Sequence, residues 1–184
     1  FTISQDCIQA TQITVVDFLE VVGIPSADGK LPKVHGGGSN RFFIVYGGEL
    51  LLVSLELTGA GVHYDWGIGG VIYLNGKGFL LAKSCIFSQN LVSASNEGQA
   101  RGGAIGCDHA GTVVKIEDSL FLKNQAGFGG AISPNTGCLF LSINSSYSKN
   151  IADYNVHSRN VSQGAVIRSW HRHYDENTVG CIYF

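Results

Sequence analysis

A chain of 184 residues, 45% hydrophobic and only 14% charged, carries enough apolar side chains to build one packed domain and is not a disordered tail. Its 12 basic and 14 acidic residues give a formal charge of −2 with no run of either sign. That excludes the electrostatic footprint of a nucleic-acid binder, and apolar stretches such as 49–57 and 78–87 are too short to span a bilayer.

The 25 glycines against 3 prolines show no triplet period, which points to an all-β chain with many corners. Residues 1–40 are the least regular part and read as irregular first coils or a cap. Phe1-Thr2-Ile3 fits a strand rather than the charged-then-apolar start of an export signal, and the sequence contains no methionine, so the chain reads as processed or as a piece of a longer one. Residues 13–22 suit either further strands or a short capping helix over 17–22. From residue 41 a regular pattern begins, with strand sequence over 41–46 and 50–57 and Ala60 closing the unit.

Three later segments share that layout with a motif at each end. Gly69-Gly70-Val71-Ile72 leads to Phe87-Ser88-Gln89-Asn90, Gly102-Gly103-Ala104-Ile105 to Phe121-Leu122-Lys123-Asn124, and Gly129-Gly130-Ala131-Ile132 to Tyr147-Ser148-Lys149-Asn150. First glycine and asparagine are 21, 22 and 21 residues apart, whereas each asparagine and the next start are 12, 5 and 13 apart, with Gln163-Gly164-Ala165-Val166 as a degenerate fourth start. A constant body with one variable joint is the signature of a solenoid whose loops leave one edge.

Within a body, Leu80 and Ala82, or Val114 and Ile116, alternate toward one face. Cys85 or Ser119 stands five residues before the asparagine, and an aromatic stands three before it. In the third copy the apolar alternation falls on Leu139, Leu141 and Ile143, one residue out of step, which predicts a shorter turn there and these three side chains as the inward row. Stacked about 4.8 Å apart, the coils would pile Phe87, Phe121 and Tyr147 into one interior row and Asn90, Asn124 and Asn150 into another at a bend. The paired glycines would take a corner that needs positive φ or close approach of the next coil. The expected fold is an all-β, right-handed parallel β-helix of about five to six coils in a single unit, regular over 41–167 with a final coil over 168–184. A β-sandwich would need recurrent hairpin turns, and Asn75-Gly76 and Asp28-Gly29 occur once each.

The spellings GGAI and FxxN in alternating order resemble the repeats of the chlamydial polymorphic membrane proteins and of other pectin-lyase-like surface proteins, over residues 69–167. The resemblance implies a surface-exposed β-helical passenger that acts in adhesion, in an extracellular or cell-surface setting. Because the chain begins and ends in strand-like sequence, its coil edges are expected to need caps, further domains or neighbouring chains, and carbohydrate is a candidate ligand class.

Five cysteines (Cys7, Cys85, Cys107, Cys138, Cys181) contain no CxxC pair, and their odd number leaves disulfide pairing open. Pectin-lyase-like folds also include polysaccharide lyases, hydrolases and epimerases, which makes a carbohydrate-active enzyme the alternative reading. Lyase chemistry needs a base beside a carboxylate-bearing carbon and a cation to hold that carboxylate. Asp108-His109 with Lys115, or His63-Tyr64-Asp65, supply those types; the same residues form turns, so Asp108 and His109 are the positions to test first. Glu117 and Asp118 are adjacent and face different sides, which does not suit a paired-carboxylate hydrolase. His171 and His173 with Asp175 have metal-ligand types but read as an exposed connection, so neither metal nor cofactor is expected. Asn144-Ser145-Ser146 and Asn160-Val161-Ser162 satisfy the glycosylation sequon. A groove lined by charges would favour the enzyme, and apolar outer faces the structural or adhesive module.

Overall fold

The computed structural model describes residues 1–63, 67–93, 100–135 and 137–152. The chain opens with β1 (Thr2–Ile3) and β2 (Cys7–Ile8), followed by β3 (Ile13–Val15), β4 (Phe18–Gly23) and β5 (Lys33–His35). Four strands then recur per coil. They are β6 (Phe43–Tyr46), β7 (Glu49–Val53), β8 (Glu56–Thr58) and β9 (Gly61–His63), then β10 (Ile72–Asn75), β11 (Phe79–Lys83), β12 (Ile86–Ser88) and β13 (Leu91–Ser93). The pattern continues as β14 (Ile105–Cys107), β15 (Val113–Glu117), β16 (Leu120–Leu122) and β17 (Gln125–Ala126), then β18 (Ile132–Pro134), β19 (Leu139–Ile143), β20 (Ser146–Ser148) and β21 (Ile151–Ala152).

Every strand pairs in parallel with its counterpart one coil away. Sheet 1 runs β1-β4-β7-β11-β15-β19, sheet 2 β2-β5-β8-β12-β16-β20, sheet 3 β3-β6-β10-β14-β18 and sheet 4 β9-β13-β17-β21. The result is a β-solenoid of about 5 turns, all-β among the described residues. Residues 17–22, open to a capping helix on sequence grounds, lie largely in strand β4. No helix among the described residues is long and apolar enough to cross a membrane.

The interior is built from columns. Leu50 and Leu52, Leu80 and Ala82, and Val114 and Ile116 fill the inner side of sheet 1, each fully buried. On sheet 2 the inner column runs Val34, Leu57, Phe87, Phe121, Tyr147. The Phe87 and Phe121 rings stack with centroids 4.6 Å apart, and Phe121 and Tyr147 with centroids 4.9 Å apart.

The third copy departs from its sequence reading. Its linking turn is indeed one residue shorter, since Cys107 pairs with Pro134 while Val113 pairs with Leu139. The inward residues, however, are Phe140 and Ser142, in register with Val114 and Ile116, and Leu139 and Ile143 are exposed. The cause is that Asn150 and Tyr147 lock the register from the far end. Ser142 is tolerated inside because its hydroxyl lies 2.8 Å from the Tyr147 hydroxyl.

Two corners recur at fixed distances before the asparagine column. Ser54, Ser84, Asp118 and Asn144 adopt φ between 49° and 54°, and Gln89, Lys123 and Lys149 adopt φ of 55°. This left-handed conformation costs an L-residue about 1 kcal/mol or more. It persists because the corner N–H groups of Ser54, Ser84, Gln89, Asp118 and Lys123 each reach a carbonyl of the next coil, as in Ser84 N–H to Glu117 O (3.0 Å) and Gln89 N–H to Leu122 O (2.9 Å).

The glycine pairs divide their work. Gly69, Gly102 and Gly129 hold φ of 67°, 64° and 55°. Their partners leave room for the next coil: a Cβ on Gly103 would sit 2.2 Å from Gly130 O and 2.6 Å from Gln125 N. Those are backbone atoms of a paired coil and cannot swing away. Gly103→Ala is therefore expected to cost about 1–3 kcal/mol, read as a lower urea midpoint.

A disulfide joins Cys107 to Cys138, 31 residues apart in sequence, and so ties one coil to the next. Closing a loop of that length should stabilise the fold by about 3–4 kcal/mol. Melting with and without reductant is expected to show that loss, and Cys107→Ser should reproduce it. Cys7 is exposed and free, and Cys85 is buried and free.

Candidate functional site

Asp108 belongs to a polar column at the corner between sheets 3 and 1. Register places Tyr46, Asn75, Asp108 and Asn135 at equivalent positions of four coils. Asn135 Nδ2 donates to Asp108 Oδ1 at 2.6 Å and the Tyr73 hydroxyl to Oδ2 at 3.2 Å, while Asn75 Nδ2 donates to the Tyr73 oxygen at 3.0 Å. Thr112 Oγ1 donates to the Asp108 carbonyl at 2.8 Å, closing the turn. Arg41 lies over the Tyr73 ring, 5.3 Å from its centroid, and donates to the Gly69 and Ile68 carbonyls.

The structure does not join Asp108, His109 and Lys115 by hydrogen bonds or ion pairs. Both carboxylate oxygens of Asp108 are taken by neighbouring coils, and His109, exposed at φ 74°, is not hydrogen-bonded to Asp108. Lys115 lies on sheet 1, paired with Glu117 at 2.7 Å. That bond, with the charges of Lys115 and Lys83, holds the Glu117 carboxyl below the usual carboxylate range. Asp118 is a left-handed corner, exposed and turned away from Glu117.

Burial first, and then the Asp108 charge, push Tyr73 up to about 12; burial does the same to Tyr147. A phenol raised above its unfolded value near 10 holds its proton longer in the folded state. Its contribution is complete below pH 10 and is lost as pH rises toward 12. The urea midpoint is expected to stay level to about pH 10 and then fall. Tyr73→Phe should flatten part of that fall, with the remaining tyrosinate followed by ultraviolet absorbance.

The outer side of sheet 1 carries Leu51, Phe79, Leu81, Val113, Leu139 and Leu141 at paired positions, interrupted by the Lys83–Glu117–Lys115 group and, on the earlier coils, by exposed Glu20 and Glu49. Leu139 is 49% exposed. This is an apolar outer face rather than a charged groove. Among the described residues no group of three His, Cys, Asp or Glu side chains is placed to hold a metal. Asn144 is exposed at its corner, ahead of exposed Ser146. Tyr64, Asp65, Asn160, His171, His173, Asp175 and Cys181, with the fourth start Gln163-Gly164-Ala165-Val166 and the final coil over 168–184, lie outside the described residues.

Among the described residues, the asparagines named from the repeat form one hydrogen-bonded column. Asn124 Oδ1 accepts from Asn90 N–H (3.2 Å) and Asn90 Nδ2 (2.9 Å). Asn150 Oδ1 repeats this toward Asn124 at 3.0 and 2.9 Å, and Asn90 Oδ1 accepts the Ala60 N–H at 3.0 Å.

Three features escaped the sequence reading, and each leaves a positional trace. Asn75, Asp108 and Asn135 all stand six residues after the first glycine of their repeat. Ser119 and Ser145 form a second column, accepting the Cys85 and Ser119 N–H groups at 3.0 and 3.1 Å. His63 and Ser93 stand three residues after Ala60 and Asn90, and the His63 ring bridges Gly38 and Ser93. No protein-family profile matches this chain, and no curated protein or solved structure matches it either.

Proposed function

We propose that the chain is an extracellular structural or adhesive β-helix module, a segment or subunit of a cell-surface assembly, of the pectin-lyase-like kind that its GGAI and FxxN repeats resemble. The observation that carries this reading is the outer face of sheet 1, where apolar side chains occupy most paired positions across consecutive coils. Broad, regular faces of this kind suit a solenoid that binds through area rather than through a catalytic cleft. Among the described residues, those that recur from coil to coil pack or hydrogen-bond within the frame, which favours a structural role over turnover. The Cys107–Cys138 bond fits an oxidising, extracellular setting.

Partners on this reading are further protein chains or domains at the coil ends, with carbohydrate as a surface ligand. Exposed Asn144 is an acceptor for glycosylation in a host that glycosylates secreted proteins. The test is a binding and turnover pair on one preparation. Labelled protein should bind cultured cells or immobilised extracellular-matrix components saturably, and binding should fall when Leu81 and Leu141 are changed to Asp. Uronate-containing polysaccharides should be left intact. Cleavage or epimerisation abolished by Asp108→Ala or His109→Ala would replace this reading with the carbohydrate-active enzyme.

A further inference from the structure

We infer that Ser93 is a nucleophile, that His63 is its general base, and that the pair acts on a small acyl ester. His63 ends β9 and Ser93 ends β13, at paired positions of consecutive coils in sheet 4. Their neighbours Val62 and Val92 are buried, which leaves His63 exposed and Ser93 half-buried on the outer side.

Nδ1 of His63 lies 2.6 Å from Ser93 Oγ, and Nε2 lies 2.9 Å from the Gly38 carbonyl oxygen. These two contacts decide the tautomer. A carbonyl oxygen only accepts, so Nε2 carries the proton and donates to Gly38. Nδ1 keeps its lone pair and accepts the Ser93 hydroxyl proton. A serine hydrogen-bonded to a neutral imidazole, itself oriented by a third group, is the arrangement that activates a hydroxyl near neutral pH.

The surroundings suit this role better than that of a strut. In the asparagine column every polar contact is buried and spent within the frame. Ser93 and His63 instead sit where water would satisfy either group, so tying two coils there contributes little to stability. Counting on from the Leu91–Gln125 pair, the next coil brings Gly127 to the level of Ser93. Ser93 therefore has its base on one side and buried Gly127 on the other, and its half-buried hydroxyl is reached from the outer face on which His63 is exposed.

The third group is a neutral carbonyl where a carboxylate would stabilise the imidazolium more strongly. That restricts the pair to esters with a good leaving group rather than amides. In the first step Ser93 Oγ bonds to the acyl carbon and its proton passes to His63 Nδ1; the ester C–O bond breaks and the leaving alkoxide takes that proton. Water then attacks the acyl-serine, its proton passes to Nδ1 and on to Ser93 Oγ as the acyl–Oγ bond breaks. The sum is ester plus water to acid plus alcohol.

The test uses the purified chain, an alkyl fluorophosphonate probe and p-nitrophenyl acetate. The probe forms an Oγ–P bond, releases fluoride and leaves the serine proton on His63. Peptide mass mapping is expected to place the label on Ser93 alone, and Ser93→Ala should abolish both label and ester turnover. His63→Ala and His63→Gln should each slow labelling about a hundredfold, the usual worth of a positioned base, with far-ultraviolet circular dichroism unchanged. If His63→Ala fails to fold, His63→Gln gives the answer. Absence of label on Ser93 in the unaltered protein, or equal labelling rates in folded His63→Gln, overturns the inference.

Discussion

Replacing Asn124 by alanine is expected to cost about 4 kcal/mol, the largest single-residue loss expected among the described residues, because four buried hydrogen bonds are lost at once. The Asn90 N–H and Phe87 carbonyl are left without this partner, while Asn90 Nδ2 keeps the Leu57 carbonyl and Asn150 Oδ1 keeps the Asn124 N–H. Asn124 is fully buried. Its Oδ1 accepts from Asn90 N–H and Asn90 Nδ2, and its Nδ2 donates to the Phe87 carbonyl at 2.9 Å and to Asn150 Oδ1 at 2.9 Å. Each unsatisfied buried polar group costs roughly 1–3 kcal/mol, lowered where the coils relax or water enters. Against a total stability of about 5–15 kcal/mol for a domain of this kind, such a loss brings the variant close to unfolding at ambient temperature. Urea titration followed by circular dichroism reads it. Asn124→Asp keeps the shape but turns two donated bonds into acceptor-to-acceptor contacts, so it should fail to rescue. A near-normal Asn124→Asp variant would mean that shape rather than hydrogen bonding matters at the bend.

Phe121→Ala follows, at about 3–5 kcal/mol. Phe121 is fully buried between two rings, stacked on Phe87 at 8° and on Tyr147 at 13° between planes. Truncation removes the transfer energy of the side chain and both stacking contacts, and the paired backbones above and below keep the cavity from closing. Phe87→Ala should cost less, since its other neighbour in the column is Leu57. Tyr147→Ala should cost least of the three, because Tyr147 is only partly buried. Thermal melts of the three variants check this order, and a Tyr147→Ala loss equal to that of Phe121→Ala would contradict it.

The solenoid was legible because its columns demand the same residue type at the same interval. Phe87, Phe121 and Tyr147, like Asn90, Asn124 and Asn150, announce stacking without any knowledge of the turns between them. Inward and outward faces were less legible where both are apolar. Leu139, Leu141 and Ile143 alternate as a core row should, yet Phe140 and Ser142 face inward. Hydrophobicity carries no sign there, and counting back from Asn150 gives the register that alternation misses.

The cysteine pairing could not be read for a related reason. Cys107 ends β14 and Cys138 stands directly before β19 of the next coil, so the two approach only once the coils are in register. The corners at Ser84, Asp118 and Asn144 were hidden because three different side chains fill the same place, and none of them marks positive φ as strictly as glycine does. The chemistry was legible least. Asp108 beside His109 looks like an acid–base pair on paper, but the turn spends Asp108 on Tyr73 and Asn135. His63 and Ser93, 30 residues apart, meet only through coil stacking.

Consecutive coils lie in parallel register, and nuclear Overhauser contacts between aromatic rings test this most directly. With Phe and Tyr rings selectively labelled, Phe121 should show contacts to both Phe87 and Tyr147, matching centroid separations of 4.6 and 4.9 Å. Phe87 should also contact Leu57. Absence of both ring-to-ring contacts, together with the close Hα–Hα contacts of antiparallel pairing between these strands, would contradict it.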